Sequence, residues 1–316
     1  MDTLKVAVIG AGHMGALHAG KLAMLANVEV TTVVDIDAAR AEAVAARVGA
    51  RASTKLETAM DSAQAAVIAV PTERHAEIVR ECLPRGLHLL VEKPVGRSLD
   101  EADEAIRLAA SHRRVLQVAH IERFNPSFAA VRSRIGRPLF IDTERLAAFR
   151  LRGADVDVVL DLMIHDLDLV LALVADAEVS RVSACGFSVL TGGIDIANAY
   201  VEFDNGCVAN LSASRVSQAP VRKLRAFQHD LYASADLHAG RVRYVGRGES
   251  GVEQSDESYE GSDALLLQDQ AFVAAVRGEC DVAVSGHDGR RALALALDVG
   301  RLVRERLEGI QATTPR

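Results

Sequence analysis

The N-terminal part of the chain alternates between short apolar runs and amphipathic stretches. The amphipathic stretches, at 38–48, 75–83 and 99–110, place apolar residues three and four positions apart and therefore predict helices. Ser98, with Glu101 three positions later, is typical of the cap that begins a helix. Alternation of strand and helix predicts βαβ units and a doubly wound parallel sheet. The apolar runs that we predict as its strands are Val6 to Ile9, Val28 to Val34, Ala65 to Val70, His88 to Val91 and Val115 to Val118.

The pattern changes after Phe124-Asn125-Pro126, and the second half is predicted to be α+β. Asp204-Asn205-Gly206 separates two of its apolar runs and predicts a hairpin turn. We therefore predict a first domain over 1–121 and a second over 122–316, and leave open that the C-terminal helix packs back on the first. The elements expected in the second half are a strongly apolar helix at 160–174, strands at 179–187, 197–203 and 208–216, an exposed loop or hairpin at 246–263, and a helix at 289–307.

Composition narrows the class of protein. The chain has 316 residues, 49% of them hydrophobic, and a formal charge of −7, which suits two globular domains and argues against nucleic acid as a partner. The start resembles no signal peptide, and charged residues interrupt the apolar stretch 158–175, so we expect a cytoplasmic protein and no membrane partner. No C-x-x-C pair occurs, which indicates neither a zinc site nor a disulfide framework. The widely spaced cysteines are Cys82, Cys185, Cys207 and Cys280.

A glycine-rich segment follows the first predicted strand and opens the first helix. It reads Gly10-Ala11-Gly12-His13-Met14-Gly15. Glycines at this spacing permit a tight turn and a close approach of a pyrophosphate, which the helix N-terminus attracts through its unpaired N–H groups. The segment predicts a Rossmann-type dinucleotide site, with a turn that holds no ligand as the alternative.

Asp35 ends the second predicted strand, about twenty residues after Gly15, where a carboxylate can bind both ribose hydroxyls. A 2′-phosphate there would meet Asp35 and Asp37, with only Arg40 to offset their charge, so NAD is favoured over NADP. The alternative role for Asp35 is that of a helix N-cap, and the two roles are compatible.

Two further groups of residues suggest catalysis. Lys93 follows the predicted strand His88 to Val91, at the edge of the sheet where ligands bind, although a surface lysine could equally stand there. In the apolar helix, Asp161, His165 and Asp168 fall on one face at i, i+4 and i+7. These three side chains could ligate a metal, could be structural core groups, or could perform general acid–base catalysis beside a nicotinamide. We favour catalysis and expect no metal.

Together these motifs resemble the Gfo/Idh/MocA oxidoreductases. The resemblance rests on the glycine segment, Val70-Pro71-Thr72 with His75, Glu92-Lys93-Pro94, and Asp161-x-x-x-His165, and it covers nearly the whole chain. It implies a second domain with an open, largely antiparallel sheet whose exposed face often forms a homodimer or homotetramer interface. It also implies a cis Lys93–Pro94 peptide, a lysine that contacts the reacting hydroxyl, and an acid–base histidine. The cofactor contacts implied are Gly10, Gly12, His13, Met14, Gly15, Asp35, Pro71, Thr72, His75 and Glu92, and the catalytic residues are Lys93, His165 and Asp161.

Within the family, the segments 117–126 and 162–168 are most similar to enzymes that oxidise the C3 hydroxyl of UDP-N-acetylglucosamine ahead of an aminotransferase in lipid A biosynthesis. Such a substrate needs cations for its diphosphate, although any one arginine could equally be a solvated surface residue. A dehydrogenase for another sugar, an inositol or an imine, and a sensor that does not catalyse, remain as alternatives. The substrate contacts predicted are Lys93, Arg123, Asn125, Arg150, Arg152, Asp161 and His165.

Overall fold

The computed structural model describes residues 2–149, 156–175, 177–248 and 251–313. It divides into two compact units. The first contains residues 1–121 and 263–290, and the second contains 122–262 and 291–316. The break after residue 121 is the one that we predicted. Our second domain of 122–316 was nevertheless too simple, because residues 263–290 belong to the first unit.

The first unit has a six-stranded parallel sheet in the order β3-β2-β1-β4-β5-β6. This order reverses direction between β1 and β4, as in a doubly wound fold, and confirms the predicted fold class. Of the six strands in this sheet, only the short β3 was not predicted. The strands are β1 (Leu4–Ile9), β2 (Val28–Val34), β3 (Arg51–Ser53), β4 (Ala65–Ile68), β5 (His88–Glu92) and β6 (Leu116–Ala119).

Helices cover both faces of this sheet. One face packs Leu22 and Val44 against Val6 and Val8, and the other packs Met60 and Val79 against Ile68 and other residues, which explains why the strands are apolar on both sides. The helices are α1 (His13–Leu22), α2 (Ala38–Val48), α3 (Leu56–Ser62), α4 (His75–Cys82) and α5 (Leu99–His112). Ser98 caps α5 by accepting a hydrogen bond from the Glu101 N–H at 3.2 Å, as predicted.

The second unit contains an eight-stranded sheet in the order β14-β13-β12-β11-β7-β10-β9-β8. All neighbouring strands are antiparallel except β7 and β10, which confirms an open, largely antiparallel sheet. The predicted turn at Gly206, which has a φ of +85°, joins β9 to β10, and the segment 246–263 contains a hairpin. The strands are β7 (Phe140–Leu146), β8 (Val179–Phe187), β9 (Ile196–Phe203), β10 (Val208–Ser214), β11 (Val221–Gln228), β12 (Leu231–Asp236), β13 (Arg241–Gly248) and β14 (Gly251–Ser258).

Helices pack on one face of this sheet. They are α6 (Pro126–Arg134) and α7 (Ile164–Val174), the latter preceded by a π-helical turn over Val159–Met163. Leu167 and Val170 of α7 join Ala199 and Leu211 of the sheet in one buried cluster. The predicted apolar helix is therefore correct in place, and its first turn, which contains Asp161, is π-helical.

The last two helices are α8 (Ala264–Val276) and α9 (Gly286–Thr313). The segment 263–290 joins the first unit through a hydrogen bond of 3.0 Å from the Val118 N–H to the Val284 carbonyl. Helix α9 starts in this segment and continues into the second unit, and it is longer than the predicted 289–307. Among the residues described, no helix combines the length and the apolar character needed to cross a membrane.

Candidate active site

The glycine-rich turn has the geometry of a dinucleotide cradle. Gly10 has a φ of +100°, and a Cβ there would lie 2.5 Å from the Ala69 carbonyl oxygen. A Cβ at Gly15 would lie 1.7 Å from the Gly10 carbonyl oxygen. Both glycines are thus required by the turn itself. At Gly12, the N-cap of α1, an added Cβ would meet no atom within 4 Å. The space in front of the helix N-terminus is therefore open, and this is the place where a Rossmann fold receives the pyrophosphate of a dinucleotide.

This difference predicts that substitutions at Gly12 and Gly15 affect the stability of the fold differently. Gly12→Val fills the open space and should weaken NAD binding while leaving the thermal midpoint of unfolding close to that of the unmodified protein. Gly15→Ala forces a methyl group into the turn and should also destabilise the fold, by about 1–3 kcal/mol. Calorimetric titration with NAD and thermal unfolding of both variants test this. Equal loss of stability in the two variants would contradict it.

Asp35 lies just beyond β2 and next to the glycine turn. One carboxylate oxygen accepts a hydrogen bond of 2.7 Å from the Ala11 N–H, and the other accepts one of 2.9 Å from the Asp37 N–H. The guanidinium of Arg40 is 3.5 Å away. The cap of α2 is Asp37, which accepts from the Ala39 and Arg40 N–H groups, so the alternative of Asp35 as the N-cap was wrong. Asp35 instead joins the strand end to the turn, in the position that suits a ribose contact.

His75 connects two loops of the same edge. It begins α4, after the 3₁₀ turn Thr72–Arg74 that follows Pro71, and is 1% exposed. Its ring nitrogens lie 3.0 Å from the Val70 carbonyl and 2.9 Å from the Pro94 carbonyl, and burial lowers its pKa. The Lys93–Pro94 peptide is cis, as the resemblance implied. His75 therefore braces the loop that carries Lys93, and its contact with the cofactor stays a prediction.

Glu92, the last residue of β5, is bound on both carboxylate oxygens. One lies 3.1 Å from His18 Nε2 and the other accepts a hydrogen bond of 3.2 Å from the Lys93 N–H. His18 Nδ1 lies 2.8 Å from Asp269. This cluster could not be predicted from the sequence, because His18 and Asp269 are separated by 251 positions.

In the second unit, Asp161 lies in the π-helical turn and His165 in the first turn of α7, both partly buried. Asp168 is 1% exposed and accepts a hydrogen bond of 2.8 Å from Arg123 Nε. Asp168 is therefore paired with Arg123, and it lies three positions after His165 in the same α-helix. Among the described residues, no group of three or more potential ligands could hold a metal ion.

Sequence reasoning missed a second charged cluster beside these residues. Arg145, on β7, donates to both carboxylate oxygens of Asp166, at 2.8 and 2.9 Å, and to Glu122 at 2.9 Å. Burial acts to raise the pKa of Glu122, but charge attraction, mainly to Arg145, outweighs it, so this pKa is lowered. Burial raises the pKa of Asp166. Since Asp166 follows His165 directly, this cluster anchors the start of α7 to the sheet.

Two of the predicted substrate contacts, Arg123 and Asn125, bind other residues of the second unit. Arg123 has a side chain that is 9% exposed and is paired with Asp168. Asn125 caps α6, accepting from the Ser127 N–H, and donates to the Leu237 carbonyl at 2.9 Å. Both residues therefore also have structural roles. Arg150 and Arg152 lie outside the described residues.

Comparison with known proteins agrees with this geometry. Residues 4–120 match the model of the oxidoreductase family GFO_IDH_MocA, NAD-binding Rossmann fold, and residues 129–228 match a GFO/IDH/MocA C-terminal domain. The chain is 37% identical to UDP-N-acetylglucosamine 3-dehydrogenase from Acidithiobacillus ferrooxidans, over 95% of this chain and 97% of that protein. It is 26% identical to inositol 2-dehydrogenase from Rhizobium meliloti, over 96% and 98% of the two chains.

Solved structures give the same result. A structure of UDP-N-acetylglucosamine 3-dehydrogenase from Acidithiobacillus ferrooxidans superposes with a TM-score of 0.91, at 37% identity, covering 96% of this chain and 98% of that one. A putative myo-inositol dehydrogenase from Sinorhizobium meliloti has a TM-score of 0.83 at 24% identity, over 96% and 98% of the two chains, and shares the fold. The chain belongs to the Gfo/Idh/MocA family of NAD-binding oxidoreductases.

Proposed function

We propose that the protein uses NAD to oxidise the C3 hydroxyl of UDP-N-acetylglucosamine to the 3-keto sugar. The observation that carries this is the 37% identity to UDP-N-acetylglucosamine 3-dehydrogenase, which extends over 95% of the chain and so covers both units. The inositol 2-dehydrogenase that matches over a similar length is 26% identical. Lys93, Asp161 and His165, the residue types needed for the reaction, are all present.

The proposed roles follow from the chemistry of the side chains. His165 removes the proton from the sugar hydroxyl, because an imidazole titrates near neutral pH, and Asp161 steadies its ring. Lys93 stabilises the negative charge that develops on the sugar oxygen, as a fixed cation does where water is excluded. NAD, bound along the glycine turn with its adenine ribose on Asp35, supplies the hydride acceptor.

For the diphosphate of the substrate we propose contacts from Arg123, Asn125, Arg150 and Arg152. Guanidinium groups suit this role because they donate two parallel hydrogen bonds to phosphate oxygens. Arg123 is held by Asp168 at 2.8 Å, so it would reach a phosphate with an orientation that is already fixed.

The direct test is NADH formation from NAD and UDP-N-acetylglucosamine. UDP-N-acetylglucosaminuronate, myo-inositol and glucose serve as comparisons, and a carbonyl trap or a coupled aminotransferase removes the product. Turnover of UDP-N-acetylglucosamine alone would support the proposal. Turnover of myo-inositol alone would replace the substrate but keep the chemistry, and no turnover with any of them would favour a sensor.

Asp35 is expected to set the preference for NAD. Asp35→Asn retains an oxygen that can accept from the Ala11 N–H but removes the charge that repels a 2′-phosphate. The ratio of kcat/KM for NAD to that for NADP should fall by about 10- to 100-fold. Asp37→Asn, which keeps a good helix cap, is the matched control. An equal shift in both variants would contradict a specific role for Asp35.

We further propose that the protein is a cytoplasmic homodimer or homotetramer, and that an aminotransferase uses its product in lipid A biosynthesis. Support for the oligomer comes from aromatic side chains that lie partly exposed on the face of the eight-stranded sheet that the helices leave open. Phe227 contacts Phe140 and Tyr232, with ring centroids 5.7 and 4.7 Å apart. Light scattering after gel filtration tests the oligomer, and a monomer at all concentrations would exclude it.

A further inference from the structure

A buried cluster of three charged groups lies in the first unit. His18 of α1 is 0% exposed, and so is Asp269 of α8. The two ring nitrogens of His18 lie 2.8 Å from an oxygen of Asp269 and 3.1 Å from an oxygen of Glu92. A carboxylate can only accept, so both ring nitrogens must donate when both acids are ionised, which makes His18 an imidazolium.

The second oxygen of Glu92 extends this cluster to the catalytic loop. It accepts the backbone N–H of Lys93 at 3.2 Å. On the other side of Lys93, the carbonyl of Pro94 is held by His75 at 2.9 Å. The backbone around Lys93 is therefore held on both sides, by a partly buried hydrogen bond at its N–H and a buried one at the Pro94 carbonyl.

The cluster also reaches the cofactor cradle. His18 lies on α1, whose N-terminus carries Gly12 and the glycine turn. A single imidazole thus joins the helix that receives the pyrophosphate to the residue before the lysine. Because a buried charge that lacks its partner is costly, the positions of α1, Glu92 and α8 are interdependent.

We propose that His18, held as an imidazolium between Glu92 and Asp269, is a positioning residue for Lys93. The proposal rests on the role of Lys93 in the proposed function. Because His18 is 0% exposed and its contact on the side of Lys93 is Glu92, it acts on the lysine through Glu92.

The charge of His18 should persist to high pH. Attraction to Asp269 and Glu92 outweighs burial and raises its pKa to about 10. The other charged groups around the cluster are Asp263, which pairs with Lys21 at 2.6 Å and whose charge also raises the pKa of Asp269, and His75, which faces Glu92. Since the folded pKa is above the unfolded value of 6.5, the imidazolium stabilises the fold fully below pH 6.5, and this contribution is lost as pH rises toward 10.

The first experiment measures the protonation of His18 directly in the whole protein. In a protein labelled at histidine with ¹⁵N and ¹³C, NMR spectra between pH 6 and 8.5 should show one imidazolium that does not titrate, and the resonance should be missing in His18→Gln. A His18 resonance that titrates near pH 6.5 would overturn the proposal. This measurement needs no substrate, so it is decisive even if UDP-N-acetylglucosamine is not oxidised.

The second experiment tests coupling to turnover. Asp269→Asn removes one of the two attractive charges, so the pKa of His18 should fall, and the alkaline loss of kcat should move about 1–3 pH units lower. Asp195→Asn is the matched control, because Asp195 is also 0% exposed and accepts several hydrogen bonds, but lies in the second unit. If Asp269→Asn lowers kcat at every pH but leaves the pH of the alkaline loss unchanged, Asp269 has only a structural role and the proposal is overturned.

A third measurement separates positioning from cofactor binding. His18→Gln retains hydrogen-bonding capacity but not the charge, and misplacement of Lys93 by about 1 Å should lower kcat about 10²-fold. NAD affinity, measured by titration, should remain close to that of the unmodified protein. Unchanged kcat in a folded His18→Gln would contradict the proposal, whereas failure of the unmodified protein to oxidise the sugar would contradict only the proposed substrate.

Discussion

Replacing Lys93 with methionine is expected to lower kcat by about 10³-fold, the effect seen when a group that stabilises a developing oxyanion is removed. Methionine keeps the length and apolar stem of lysine but lacks the ammonium. NAD affinity should change little, because the glycine turn and Asp35 lie on other strand ends of the same sheet. Steady-state turnover and calorimetric titration with NAD, on the same preparation, measure both quantities.

Lys55→Met is the matched control. Lys55 is an exposed lysine of the same unit, at the start of α3, and makes no capping hydrogen bond through its side chain. The Lys55→Met variant should turn over substrate at the rate of the unmodified protein. If Lys93→Met does the same, Lys93 has no part in stabilising the oxyanion, and the acid–base role of His165 would have to account for the chemistry alone.

The parallel sheet was readable from the sequence because its strands are buried on both faces. Such strands are continuous apolar runs, and turns separate them clearly from the helices. The missed strand β7 lacks this signal. Its inward side chains include Thr143 and Arg145, which are 1% and 4% exposed, so an alternating apolar pattern is broken by polar groups that the core accommodates.

The candidate site likewise has a part that could be predicted from the sequence and a part that could not. The glycine turn is contiguous in sequence and its backbone requires glycine at fixed positions, so it could be predicted from the residues alone. The cis peptide after Lys93 was implied by the family resemblance. The partners of His18 and Arg145 could not, because each cluster is assembled from distant segments and no periodicity marks a buried ion pair. In the apolar helix, the sequence indicated a polar stripe through Asp168, but it did not predict the π-helical turn that contains Asp161 or the ion pair between Asp168 and Arg123.

These buried pairs show what holds the start of α7 in the second unit. Asp166 is 2% exposed and follows His165 directly, and its two carboxylate oxygens are both occupied by Arg145. Arg145 also binds Glu122, which receives a further contact from Arg222 at 3.3 Å. The guanidinium is thus shared by two carboxylates, and Asp166 has no second cation among the ion pairs of the described residues.

Arg145→Met is accordingly expected to destabilise the protein by about 3–5 kcal/mol, because it leaves the buried carboxylate of Asp166 without its cation. The double variant Arg145→Met/Asp166→Leu should recover part of that loss, since the uncompensated charge is also removed. Arg243→Met, which breaks the exposed pair with Asp256, should leave the urea midpoint of unfolding almost unchanged. Urea unfolding of the three variants measures this. A double variant less stable than Arg145→Met would mean that apolar packing around Asp166, rather than its charge, determines how α7 and His165 are held.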